Sequence, residues 1–204
     1  MAMTDGASSI DHDPVAEEAA YAALGRLLVT WAMVDQTVIR ALWRRDKAGA
    51  FPPAVPATFP ARWLDWSPGV QDRWPDDMGL TWEEFELQQA EAVAVRNALA
   101  HWTVDVEGHD GRFSIAVHPH EPAGWRPSFK RWWKRVQHMP LRLRHPGPAN
   151  GRGTRWSDWQ LRQLQERWTA LLILTRLLAE ERDLTTEPEA FAALARHNST
   201  LLAP

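Results

Sequence analysis

The sequence predicts an all-α fold, an up-and-down helical bundle with one small inserted β-hairpin. Two long stretches, near the N-terminus and before the C-terminus, carry apolar residues at spacings of three and four. Helix-start signatures stand ahead of them, and strict two-residue alternation occurs in one place only. With 204 residues, 45% of them hydrophobic, the chain has enough material for one domain with a sizeable core.

Residues 1–12 are short, polar and acidic without periodicity, and read as a disordered lead-in; 13–204 read as a single domain. Asp13-Pro14 is a helix cap followed by proline at the first helical position. Leu24, Leu28, Trp31, Asp35, Val38 and Leu42 then mark one face of a long helix, about 14–47, with one aspartate in the stripe. Residues 48–80 hold six prolines together with Trp63, Trp66 and Trp74, which predicts short helical turns packed by tryptophan. Thr81 and Glu84 form a capping box opening a second helix that runs to about His101.

Trp102, Val104 and Val106 alternate with polar residues, as do Phe113, Ile115 and Val117 beyond a turn at 108–111. This is the hairpin, about 102–118. A short helix is expected around 128–139, then a Pro/Gly-rich loop to about 155. Ser157 and Gln160 form a second capping box before a helix with Leu161, Leu164, Trp168, Leu171, Leu172 and Leu178 on one stripe, and a last helix starts near Pro188.

The net charge of -3 hides a polarity along the chain. Residues 1–25 hold five acids and no Lys or Arg. In 126–155, nine cations (Arg126, Lys130, Arg131, Lys134, Arg135, Arg142, Arg144, Arg152 and Arg155) face no acid. Trp125, Trp132 and Trp133 are interleaved with them, so this basic, Trp-containing insertion at about 125–155 offers charge for phosphates and rings for bases. The other reading is a solvated surface balanced by acids elsewhere, such as those of 76–91.

No cysteine is present, which excludes disulfides and thiolate metal or redox sites. No unbroken apolar run reaches the ~18–20 residues of a membrane span, and the acidic N-terminus does not resemble a secretory signal. A soluble cytoplasmic protein, with no membrane partner, is the expectation. The 13 tryptophans read as core and loop-packing residues, with Trp132 and Trp133 as stacking candidates.

The chemistry concentrates in Arg96-Asn97-Ala98-Leu99-Ala100-His101. Residues four apart share a helical face, so Asn97 and His101 can address one cleft, and the long Arg96 fork can reach the same volume. Around a phosphodiester, a guanidinium stabilises the charge of the transition state and an imidazole moves a proton near neutral pH. Asp35, a carboxylate among apolar neighbours, needs a partner; Arg96 or His101 would serve, the alternative being a structural arginine.

An Arg, a polar residue, three spacers and a His closing a helix resembles the HEPN family, the "higher eukaryotes and prokaryotes nucleotide-binding" helical domain with its R-x4-6-H signature. The first helix with Trp31 and Asp35, the strand-like segment after the His and the long helix at about 157–183 are similar as well, so the resemblance covers roughly 18–183. It implies a metal-independent endoribonuclease, toxin- or defence-like, without cofactor. It also implies a homodimer whose Arg and His pairs meet across the interface. The 2′-hydroxyl would attack the adjacent phosphorus, leaving a cyclic phosphate and a 5′-hydroxyl. Carried over, His101 handles the proton, Arg96 stabilises the pentacoordinate phosphorus, and Asn97 orients the His or binds phosphate. Asp35 joins them from the stripe argument.

Trp102 follows the His where similar proteins commonly have glycine, restricting approach or adding a stacking face. An antitoxin or regulatory protein would be a separate chain. The rival reading is a non-catalytic HEPN-like dimer that binds nucleotide, RNA or a protein partner as a sensor or regulator.

Three further patterns are weaker. His118, His120 and Glu121, with His109 across the turn, could form a His-rich metal site because alternate strand residues share a face, but the strand ends there at Pro119 and a solvated loop is the simpler reading. Residues 147–154 look like a phosphate loop but lack its lysine and glycine spacing. Asn198-Ser199-Thr200 matches a glycosylation acceptor that is without meaning inside a cell.

Overall fold

The computed structural model describes residues 13–45, 55–101, 103–109, 112–118 and 154–201. Helix α1 spans Pro14–Arg45, α2 Phe59–Trp66, α3 Trp82–His101, α4 Asp158–Ala179 and α5 Pro188–Leu201. Strands β1 (Thr103–His109), β2 (Arg112–His118) and β3 (Thr154–Ser157) form one antiparallel sheet in that order. The chain is therefore mostly helical with a small sheet. The acidic lead-in, the 128–139 helix and the loop expected after it lie outside the described residues, apart from the stretch that forms β3.

The helices start where local chemistry says they should. Asp13 Oδ1 accepts from the Val15 and Ala16 amides at 3.1 Å each, capping α1. Thr81 and Glu84 exchange both bonds of their box ahead of α3, and Ser157 and Gln160 do so ahead of α4. The C-terminus of α4 closes in a Schellman motif, with Arg182 N–H donating to Leu177 O and Glu181 N–H to Leu178 O. Glu181 occupies the left-handed position at φ 57°, where glycine is the unstrained choice. Glu181→Gly is expected to stabilise the fold by about 0.5–1 kcal/mol. In a thermal melt the midpoint should rise by roughly 1–4 °C, whereas Glu181→Ala, which keeps the Cβ, should leave it unmoved.

Helices α1 and α4 pack along each other at the centre of the bundle, with α5 against α4 and the sheet against both central helices. Trp31 of α1 meets Trp168 of α4 edge to face, ring centroids 5.9 Å apart. The proline-rich 55–80 segment carries α2 and two short 3-10 turns, whose tryptophans drive into the core as the sequence predicts. Trp63 is fully buried against Phe59, Trp66, Trp82 and Phe85. By length and a mean hydropathy of 1.2, α1 alone among the described helices could cross a membrane. A third of the 18-residue stretch with that hydropathy is buried in the bundle, and Leu27, Trp31, Val34 and Val38 are among the buried residues of α1.

Two expectations change. The expected hairpin is part of a three-stranded sheet, because Thr154–Ser157 pairs with β2. Four residues are too few for alternation to reveal, and their pairing partner lies far away in sequence. The ladder also reaches into the stretch expected as a turn: Gly108 pairs with Phe113. Its missing side chain is required there, since a Cβ would stand 2.7 Å from the Ala16 Cβ of α1.

Candidate functional site

An open cleft of about 590 Å³ lies between α1, the 57–62 segment and α3. Trp31, Asp35 and Gln36 of α1 line one wall, Thr58, Phe59 and Arg62 a second, and Arg96 and Asn97 a third. The volume falls within the range of small-ligand sites, roughly 300–1,000 Å³. Trp31 and Asp35 share the wall because they are four apart on α1, and Arg96 and Asn97 face it from the last turns of α3.

Asp35 is paired with Arg62 of α2 rather than with Arg96. Arg62 Nε donates to its Oδ1 at 2.9 Å and Arg62 Nη2 to its Oδ2 at 2.7 Å, while Nη1 donates to the Pro56 carbonyl at 2.7 Å. The side chains are 10% exposed for Arg62 and 26% for Asp35, so the aspartate keeps a side open to the cleft. Sequence reasoning missed Arg62. It stands on the buried face of α2 with Phe59, Trp63 and Trp66. One ion out of place on each of two apolar faces was the signal: each anomaly is satisfied by the other.

Arg96 Nη1 donates to Asn97 Oδ1 at 3.0 Å. Among the described residues no carboxylate pairs with Arg96, which is half-buried. With Arg62 balanced by Asp35, the described lining of the cleft retains one positive charge without a carboxylate partner, that of Arg96. The bond takes one of the two acceptor positions of the Asn97 oxygen, so at this end of the cleft the N–H donors of Arg96 and Asn97 outnumber the acceptors. An oxyanion is the complementary group. His101 is the last residue of α3, one turn beyond Asn97, and its side chain lies outside the described residues.

Arg155 lies in β3 opposite Ala116, with its side chain outside the described residues. Trp102 and the basic series Arg126, Lys130, Arg131, Trp132, Trp133, Lys134, Arg135, Arg142, Arg144 and Arg152 lie outside them altogether. So do His120 and Glu121. The hairpin register separates the other two histidines: His109 pairs with Arg112 at the turn and His118 with Thr103 at the far end. Six residues of β2 separate the two pairings, so their backbones stand about 20 Å apart at ~3.4 Å per residue, which removes His109 from any site built on His118.

A second polar cluster lies in the core rather than in the cleft. Arg167 of α4 bonds Gln88 at 2.8 Å and Glu91 at 2.5 Å on α3, and Gln88 donates to the Leu194 carbonyl of α5 at 3.0 Å. All three side chains are buried, so the cluster ties three helices together. Comparisons with models of known families, with curated proteins and with solved structures found no match.

Proposed function

We propose that the chain is a HEPN-like, metal-independent endoribonuclease of the cytoplasm, toxin- or defence-like, that cuts RNA as a homodimer. The observation that carries this reading is the half-buried Arg96, bonded to Asn97 and without a carboxylate partner among the described residues, on a ligand-sized cleft one turn before His101. A guanidinium without a carboxylate partner among the described residues suits a phosphodiester, whose charge grows as the 2′-oxygen bonds to phosphorus and the bond to the 5′-oxygen breaks. His101 handles the proton that leaves the 2′-hydroxyl and the one the 5′-oxygen gains. Asn97 holds the Arg96 fork. The basic segment from Arg126 to Arg155 guides the RNA backbone.

The dimer has support on α1. Val29 is 60% and Met33 43% exposed, one turn apart and next to Leu28 and Ala32 of the cleft wall. A second copy seated on this strip would bring a second Arg96 and His101 towards the first.

The test is cleavage of total RNA by purified protein in excess EDTA, beside His101→Ala. Cleavage that resists chelator, leaves cyclic-phosphate ends and falls at least 100-fold in the variant is the expected result. No cleavage by either folded protein, with RNA binding intact, would replace this reading with the sensor or regulator dimer.

A further inference from the structure

We infer that Asp35, held by Arg62, receives the ribose 2′-hydroxyl and makes the cleft discriminate ribonucleotides from deoxyribonucleotides. The inference rests on the reading of the cleft as a phosphodiester site.

The cleft is chemically polarised. On the α3 side, the N–H donors of Arg96 and Asn97 outnumber the one acceptor, the Asn97 oxygen, which already takes a bond from Arg96. Across from them, Asp35 presents acceptors only. Each carboxylate oxygen takes one N–H from Arg62, and an ionised carboxylate has about four acceptor sites, so capacity remains on each oxygen. The two arginine bonds occupy the directions in which a second two-pronged donor would approach, leaving single, outward-facing acceptor positions. A lone hydroxyl satisfies that geometry, whereas a flat donor-donor base edge does not. The 26% exposure of Asp35 keeps the position reachable from the cleft.

A ribose 3′-phosphate is the matching ligand. Its phosphate oxygens need donors, and the neighbouring 2′-hydroxyl donates a hydrogen bond to Asp35 in the bound ground state, its proton passing to His101 only when the oxygen attacks. A deoxyribose 3′-phosphate has the first group without the second, and the 2′-hydroxyl is the feature by which proteins tell RNA from DNA. Arg62 acts through Asp35 as a positioning residue: it fixes both carboxylate oxygens and keeps the group from turning away.

The test separates recognition from cleavage by using mononucleotides, which contain no bond to cut. Adenosine 3′-monophosphate and 2′-deoxyadenosine 3′-monophosphate are titrated into the full chain, followed by tryptophan fluorescence or by shifts of indole NMR signals. The ribonucleotide should bind at least tenfold more tightly, the worth of a hydrogen bond to a charged acceptor. Asp35→Asn should bring the ratio near one, and Arg96→Ala should weaken both ligands in proportion. Because Asp35→Asn leaves Arg62 without its counter-charge, the Asp35→Asn/Arg62→Gln pair, which removes both charges, is measured beside it and should lose the preference too.

Equal affinities in the wild-type chain, a preference that survives both variants, or no binding of either nucleotide would overturn the inference. Chelator-resistant cleavage with equal affinities would leave the nuclease standing and remove only the role of Asp35. A ribose preference without cleavage would do the reverse.

Discussion

Arg96→Ala is expected to lower chelator-resistant RNA cleavage by at least 100-fold while leaving the fold intact. The side chain makes one described hydrogen bond, to its neighbour Asn97, and is half-buried, so its removal orphans no buried charge. Its value would be spent on the transition state, where loss of a single aimed donor typically costs about 100- to 1,000-fold in rate. Arg96→Lys keeps the charge but loses the planar fork, and should recover only part of the rate. Cleavage time courses and thermal melts on the same preparations decide the matter. A full rate in Arg96→Ala would remove the residue from catalysis, and a collapsed melting transition would make it a structural group.

Arg167→Leu is expected to be the most damaging change to stability, at about 3–5 kcal/mol. Arg167 and Glu91 have side chains 4% and 10% exposed, so deleting the cation strands a carboxylate in the core. It also takes away the donor that satisfies the Gln88 oxygen. Against a total stability of about 5–15 kcal/mol, that is a large fraction of the whole, and the melting midpoint should fall by roughly 6–20 °C. Arg167→Leu/Glu91→Leu removes both charges and should recover most of the loss, because much of the cost belongs to the orphaned ion rather than to the missing attraction. A double variant as unstable as the single one would mean that packing around Arg167 matters more than its charge.

Most of the helical elements were legible in the chain because their signals are local. Asp13, the Thr81–Glu84 box and the Ser157–Gln160 box each act within four residues, and each is formed as read. The stripe from Leu24 to Leu42 and the alternation on either side of 108–111 are likewise properties of adjacent turns and residues. β3 was missed because a four-residue strand takes its stability from β2 rather than from its own pattern. The middle of α3 was also illegible. Glu91, one of the acids of 76–91 read as surface charge, is buried together with Gln88 and Gln89, since their partners are supplied by Arg167, Leu194 and Thr175 from two later helices.

The candidate site divides in the same way. Helical spacing put Asn97 on one face with His101, and the reach of the Arg96 fork was expected to bring it to the same volume; Arg96 and Asn97 do line one cleft. Asp35 could be singled out as a charge that needs a partner, but the identity of that partner could not. By itself the sequence determined the helices, their caps, the hairpin and the residues with chemistry to offer, because those depend on contacts a few residues long. Only the tertiary structure decided that Asp35 answers to Arg62 and that Arg96 is left without a carboxylate among the described residues. A buried charge is settled by whichever opposite charge the packing of distant helices brings within hydrogen-bond reach, and that distance is set by the whole core.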